Sequence, residues 1–246
     1  MHDLVQEDIR AALSLLTPKK VVGHKKVRVG GVGDGGYVMV DQLGNVPVCY
    51  SIGVGSDVSW DLDMASRGCQ VYQYDHTVDR TTSEHPNCHF QKVGLAGYDN
   101  VYDMKRLDTL VAQNGHADRQ DMILKVDIEG QEWASFDALP VSWFGRFSQI
   151  VVELHWLDHL HDNQFRRLFT RVFGNMCRTH QCVHIHANNY AGYVIVHGLP
   201  IPQVAEVTFL RRAEHQFIDN DELLPSNLDL PNNNNVPDHF LGLFRF

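Results

Sequence analysis

The sequence contains no apolar run of about 18 residues, the length that a membrane-spanning helix requires. Its N-terminus also has no signal-peptide pattern. We therefore expect a soluble, cytoplasmic chain without a membrane partner. Positive charge is scarce as well, since the net charge is −9, and this argues against a general nucleic-acid binder.

Cysteine is also sparse: the five cysteines are odd in number and include no Cys-x-x-Cys pair. A disulfide framework or a zinc knuckle is therefore not expected. Hydrophobic residues make up 43% of the 246 positions, enough for one large α/β domain with a full core. We predict a single domain over residues 1–246, with an N-terminal helix and hairpin cap over 1–45 and a Rossmann-like core and C-terminal tail over 46–246.

Residues 48–75 resemble a nucleotide-binding pattern of three glycines but contain only the first two of them at the required spacing. This stretch predicts a strand, a turn at Gly53 and Gly55, a helix, and a second strand that ends at Asp75, at the spacing of an acid that binds ribose hydroxyls. Val58 stands where a dinucleotide pyrophosphate needs the third glycine, which argues against a nicotinamide dehydrogenase. The stretch favours a ligand with adenosine and no phosphates, such as S-adenosylmethionine, although Gly-x-Gly alone also occurs in ordinary turns.

Strand-like and helix-like segments alternate after this stretch, which predicts a mostly parallel sheet. A helix with apolar spacing opens the chain up to Leu16, and residues 26–41 predict a β-hairpin that turns through Gly-Asp-Gly-Gly. Residues 193–196 are a further candidate strand. The seven strands predicted for the sheet are 49–52, 71–74, 89–93, 122–127, 150–154, 183–187 and 206–210.

Polar side chains end three successive strands of this predicted sheet. They are Asp127 and Glu129 on the first, Glu153 and His155 on the second, and His184, His186, Asn188 and Asn189 on the third. Residues two apart in an extended chain point to the same side, and strand ends at this edge of an open α/β sheet form the ligand crevice. Since burial of such groups is costly without partners, the pattern favours a catalytic cluster.

The cluster has two possible chemistries. His155 or His186 is the natural base near neutral pH, helped by Asp127 and Glu153. Alternatively, oxygen ligands from Asp127, Glu129 and Glu153 would hold Mg²⁺ or another divalent cation. A structural interpretation, in which each acid caps a helix or is paired locally, also stays open.

Several motifs together resemble the FkbM-like S-adenosylmethionine-dependent methyltransferases, and among these the methyltransferase-22 branch. The motifs are RVGGVGDGGYVMVD, YSIGVGSDVSWDLDMA, ILKVDIEGQEW, IVVELHW and HIHANN. The resemblance covers most of the chain from about Arg28 onward. It implies a class I methyltransferase fold, which is a three-layer, Rossmann-like α/β fold whose sheet has seven mostly parallel strands, the last inserted antiparallel.

The resemblance also implies roles for individual residues. The glycine turn and Asp57 would lie along the methionine part of the cofactor, Asp75 would bind its ribose, and His76 would lie near the adenine. The hairpin turn would cap the cofactor, while Asp127 and Glu129 would face the acceptor. The full set of implied cofactor contacts is Asp34, Gly36, Tyr37, Gly53, Gly55, Asp57, Asp75, His76, Gly94, Leu95, Asp127 and Glu129.

The expected activity is O-methylation of a hydroxyl on a sugar, a glycan or a small natural product. The chain has GVGSD where Asp-x-Gly-Ala-Asn is usual in FkbM-like enzymes, so the acceptor stays open. N-methylation and a non-catalytic binding module are the alternatives. A metal-dependent glycosyltransferase would use Asp61 and Asp63, but this pair falls on a predicted helix.

Two other polar segments have simpler interpretations. The asparagine run 232–235 predicts a turn rather than a site, because asparagine tolerates left-handed backbone. A basic cluster near the N-terminus predicts a solvated face, or alternatively a patch for an anionic acceptor. The cluster consists of Lys19, Lys20, Lys25, Lys26 and Arg28.

Overall fold

The computed structural model describes residues 2–44 and 46–246. Its helices are α1 (His2–Ser14), α2 (Ser59–Ser66), α3 (Leu107–Gln113), α4 (Glu132–Ala138), α5 (Val141–Phe144) and α6 (Asn163–Met176), and a 3-10 helix spans Leu157–His161. In the described part of the chain, no helix combines the length and the apolar character needed to cross a bilayer.

The strands are numbered along the chain. They are β1 (Lys19–Val21), β2 (Lys26–Gly30), β3 (Gly36–Val40), β4 (Val48–Ile52), β5 (Gln70–Tyr74), β6 (Cys88–Gln91), β7 (Gly94–Leu95), β8 (Met104–Lys105), β9 (Met122–Val126), β10 (Phe147–Leu154), β11 (His180–Ala187), β12 (Tyr193–Val196), β13 (Leu199–Pro202), β14 (Ala205–Arg211) and β15 (Phe217–Asp219).

The central sheet has seven strands in the order β11-β14-β10-β9-β4-β5-β6. The pairs from β10 to β6 are all parallel, whereas β14 runs antiparallel to both of its neighbours, β10 and β11. The predicted Rossmann-like sheet with an inserted antiparallel last strand is therefore confirmed. Residues 193–196 do form a strand, but β12 pairs only with β13, outside this sheet.

Apolar side chains cover the sheet on both faces. On one face the helices α1, α3, α4 and α6 pack against residues such as Tyr50, Leu124 and Val152. On the other face, α2 and the predicted hairpin, β2 with β3, cover Ile123 and Val151. The hairpin therefore stands where an α/β fold often has another helix.

Strand alternation places the polar strand ends on the hairpin face. Ile123 and Val151 face the hairpin, and side chains two positions further along a strand point to the same side. Lys125 and Asp127 follow Ile123 at this spacing, and Glu153 follows Val151. The hairpin thus covers the edge of the sheet where these charged groups lie.

The basic cluster near the N-terminus is largely neutralised by acids that precede the C-terminal tail. Lys19 Nζ lies 2.6 Å from Asp219 Oδ1, and Lys26 pairs with Glu222. Arg28 points elsewhere, because its guanidinium donates to backbone carbonyls of the hairpin turn. These ion pairs favour the solvated-face interpretation over an anionic acceptor patch.

Candidate functional site

A cavity of about 320 Å³ opens at the carboxyl edge of the sheet. Its walls come from the hairpin turn, the glycine turn after β4, and the residues that follow β5 and β9. All predicted cofactor contacts except Gly36 line it. They are Asp34, Tyr37, Gly53, Gly55, Asp57, Asp75, His76, Gly94, Leu95, Asp127 and Glu129. The structure therefore brings together residues that are up to 95 positions apart in the chain.

Gly36 lies within the hairpin rather than at the cavity. A Cβ atom there would come within 2.3 Å of the Gly31 carbonyl oxygen and 2.5 Å of the Arg28 guanidinium. The prediction that it contacts the cofactor is therefore replaced by a packing role, since only glycine leaves room for the turn and for Arg28.

The glycine turn is pressed against the end of β9. Gly53 has a φ of +77°, and a Cβ atom on it would lie 1.5 Å from the Asp127 carbonyl oxygen. Its N–H donates to the Tyr74 carbonyl at 2.9 Å. Gly55, with a φ of +55°, instead has open space where its Cβ would be. The turn therefore leaves bare backbone against the cavity, which suits a ligand that lies close to the main chain.

Asp75 is held rigidly at the end of β5. Its carboxylate accepts from Gly55 N–H at 2.9 Å, from Thr77 N–H at 2.7 Å and from the Thr77 hydroxyl at 2.6 Å. Burial alone raises the pKa of Asp75, but these hydrogen bonds outweigh it and hold the pKa below its ordinary value. The group is thus an ionised acceptor fixed in the cavity wall, as the binding of ribose hydroxyls requires.

Asp127, Glu153 and His155 form a cluster behind the cavity wall, with ligand-type atoms within 4.8 Å of one another. His155 Nε2 lies 3.2 Å from Glu153 and 3.3 Å from Glu129, and its Nδ1 lies 3.3 Å from Glu132. Both ring nitrogens therefore face carboxylates. Asp127 connects this cluster to the cavity, because it belongs to both.

The predicted role of His155 as a base conflicts with this environment. Burial alone lowers the pKa of His155, but the hydrogen bonds to Glu132 and Glu153 raise it to about 11. Burial and the charge of Asp127 raise the pKa of Glu153 above its ordinary value, against the opposing hydrogen bond from His155. At neutral pH His155 is therefore a cation surrounded by acidic side chains, and a protonated imidazole accepts no proton.

His186 is also a poor candidate for the base. It is buried between Glu206 and Asp238, each 3.1 Å from a ring nitrogen, and it does not line the cavity. Burial lowers the pKa of His186, but these two hydrogen bonds raise it to about 10. It ties the C-terminal tail to the sheet.

Glu206 and Asn232 lie next to the cluster of Asp127, Glu153 and His155 and extend it, although neither was predicted as a site residue. Glu206 lies opposite both Glu153 and His186 in the strand register. Asn232 donates to Glu206 at 2.6 Å and to Asp34 at 2.9 Å, so the asparagine run contributes to the site as well as to a turn. Asn188, predicted only as a polar strand end, bridges Asp34 and Glu153 in the same way.

The cation ligands predicted from the sequence are only partly brought together. The side chain of Glu129 is 86% exposed and belongs to neither of the compact ligand groups found among the described residues. One group is Asp127, Glu153 and His155, and the other is Asp34, Glu153 and Glu206. Glu153 is common to both.

The charge state of His155 can be tested through stability. Its pKa is raised in the folded protein, so its contribution is complete below pH 6.5 and is lost as the pH rises towards 11. In metal-free buffer between pH 7 and pH 9, the unfolding free energy of the wild type should fall more steeply than that of His155→Gln, by up to about 1.4 kcal/mol per pH unit. Urea denaturation measures both slopes. The exposed His161→Gln should retain the wild-type slope, whereas equal slopes for wild type and His155→Gln would refute the assignment.

A protein-family model described as a methyltransferase domain, methyltransferase 22, matches residues 12–193. The match covers the hairpin, the glycine turn, β9, β10 and β11. The chain belongs to this family. No curated protein matches the sequence.

Membership of a methyltransferase family implies the use of S-adenosylmethionine, and the cavity of this methyltransferase domain fits that cofactor. The glycine turn supplies exposed backbone, and Asp75 supplies an ionised acceptor beside it. At the far wall, a Cβ atom on Gly94 would lie 2.3 Å from the Met104 sulfur and 2.7 Å from His76. Only glycine at this position lets both side chains pack against the backbone at this wall of the cavity.

Sequence reasoning missed several residues that line the cavity of the domain. Thr77, which orients Asp75, and Ser56 follow strand ends at this edge, so their positions in the chain were a usable signal. Lys125 is different because it lies inside the apolar run of β9. Only the alternation of side chains along that strand reveals that it faces the cavity.

Proposed function

We propose that this chain transfers the methyl group of S-adenosylmethionine to a hydroxyl of a sugar, a glycan or a small natural product. The observation that carries the proposal is the position of Asp127. Its backbone contacts the glycine turn, while its side chain lines the cavity and belongs to the carboxylate cluster. The predicted donor site and the acid cluster therefore meet at one residue.

The bound cofactor would supply a methyl group activated by a positive sulfur. A hydroxyl is a poor nucleophile at neutral pH, so its proton must be accepted as the new bond forms. Asp127 suits this task better than either histidine, because it is half-buried at the cavity. Burial raises the pKa of Tyr37, so its phenol stays protonated and donates to Asp127 Oδ2 at 3.1 Å. This hydrogen bond orients one carboxylate oxygen and leaves the other available.

A divalent cation also fits the donor set. Asp127 and Glu153 offer carboxylate oxygens, and His155 would become a ligand after losing its proton, as metal binding requires. Such an ion would act as a Lewis acid that lowers the pKa of an acceptor hydroxyl. Cation assistance is therefore part of the proposal.

Thermal unfolding tests the cofactor assignment directly. S-adenosylmethionine or S-adenosylhomocysteine at about 100 times its dissociation constant should add about 2.7 kcal/mol of stability, whereas NAD should add none. The reverse pattern would refute the proposal.

Transfer of a radiolabelled methyl group tests the reaction itself. We expect label on members of a sugar and small-hydroxyl panel, with activity reduced by EDTA and restored by Mg²⁺ or Mn²⁺. Methylation of amines alone would contradict O-methylation, and full activity in EDTA would contradict cation assistance.

A further inference from the structure

Lys125 is a buried cation with weak partners in the wall of the cavity. Its residue is only 4% exposed and lines the cavity beside the glycine turn. Within the described residues, no carboxylate lies at ion-pair distance from its Nζ. In the part of the chain that the structure describes, the ammonium has one hydrogen-bond acceptor, the Gly53 carbonyl oxygen at a long 3.4 Å, and it lies 5.0 Å from the ring centroid of Tyr37.

Among the described residues, neither of the two nearby acids, Asp61 and Asp127, forms an ion pair with Lys125. Asp61 Oδ1 accepts from Gln73 at 2.9 Å, whereas its buried Oδ2 has no hydrogen-bond partner among the described residues. Burial raises the pKa of Asp61, which favours its neutral form, although the charge of Lys125 opposes this. Asp127 accepts from Tyr37 and belongs to the carboxylate cluster. A buried ammonium is costly without a close counter-charge, so the geometry of Lys125 indicates an anion supplied from outside the chain.

The position of Lys125 indicates which anion this is. Asp75 and His76 line one part of the cavity, whereas Lys125 contacts the start of the glycine turn, next to Asp127. S-adenosylmethionine carries a single anionic group, the α-carboxylate of its methionine part. We propose that Lys125 binds this carboxylate, an assignment that rests on the proposed function. An anionic group on the acceptor is the competing occupant.

Two ligands that differ in the amino-acid part separate these occupants. S-adenosylhomocysteine carries the carboxylate, while 5′-methylthioadenosine retains the adenosine and sulfur without it. In isothermal titration calorimetry, Lys125→Met should weaken S-adenosylhomocysteine binding about 10- to 150-fold, the range for losing a hydrogen bond between charged groups. Binding of methylthioadenosine should stay within about 2-fold. Lys105→Met, whose lysine bonds to Gln113 at the surface, is the matched control and should change neither.

Each outcome decides between the possibilities. An unchanged affinity for S-adenosylhomocysteine in Lys125→Met, or an equal loss for both ligands, would overturn the assignment. Lys125→Gln provides a second test should methionine disturb the strand, and it should give the same split between the two ligands. Wild-type protein that binds neither ligand would instead overturn the proposed function, and the assignment with it.

Discussion

Alanine at Gly53 should abolish cofactor binding and lower the unfolding free energy by at least about 3 kcal/mol. The new Cβ would lie 1.5 Å from the Asp127 carbonyl oxygen, on backbone with a φ of +77°. Neither side can move away easily, because Gly53 N–H bonds to Tyr74 and Asp127 N–H bonds to Ile52 at 3.0 Å. Three parallel strands would have to separate at their ends, and these ends form the cavity.

Gly55→Ala is the matched control for this effect. Gly55 has a similar φ of +55°, but nothing lies within 4 Å of the point that its Cβ would occupy. The unfolding free energy of Gly55→Ala should therefore fall only by the cost of placing alanine in left-handed backbone, about 1–2 kcal/mol. Urea denaturation and titration with S-adenosylhomocysteine measure both variants. A stability of Gly53→Ala equal to that of Gly55→Ala would refute the steric argument.

The sheet and half of the cluster were predictable because parallel strands follow one simple rule. Polar residues at the carboxyl ends of β9 and β10 had to meet at one edge, which brought Asp127, Glu153 and His155 together. The same rule could not find Glu206. It lies at the beginning of β14, and an antiparallel strand reaches that edge with its amino end.

The contribution of the tail was hidden for another reason. Asn232 and Asp238 reach Glu206 and His186 through the path of the chain after β15. In the sequence, asparagine or aspartate next to a proline is typical of a turn and does not indicate a site. No local pattern distinguishes these turn residues from those that close a site. The tail therefore becomes part of the site through contacts more than 20 residues away in sequence, such as the bond from Asn232 to Glu206.

The protonation of the histidines depends on contacts that a sequence does not reveal. A histidine two positions after a buried acid suggested a base, but the decisive neighbour of His155 is Glu132, in the first turn of α4. With a carboxylate on each side of the ring, the imidazole becomes a cation. The cluster therefore consists of acids held together by protonated histidines and amide groups, with a carboxylate at the cavity.

Glu153→Gln should lower methyl transfer about 1,000-fold, within the range expected when an acidic group of a catalytic site is removed. Glu153 is buried, accepts from Asn188 at 2.5 Å and from His155 at 3.2 Å, and belongs to both possible cation groups. Glutamine keeps the shape but cannot ionise, so it removes the carboxyl group that both possible cation groups share. S-adenosylhomocysteine affinity should change less than about 3-fold, because Glu153 does not line the cavity.

Glu129→Gln is the matched comparison, because it removes an exposed carboxylate at the cavity and leaves the buried Glu153 in place. Glu129 lines the cavity and also contacts His155, yet its side chain is 86% exposed to solvent. Its loss is screened by water, so turnover should fall less than about 10-fold. Steady-state rates with saturating cofactor and a fixed acceptor measure both variants. If Glu153→Gln retains a tenth or more of the wild-type turnover, or if Glu129→Gln is the more damaged variant, the reaction does not depend on the buried carboxylates.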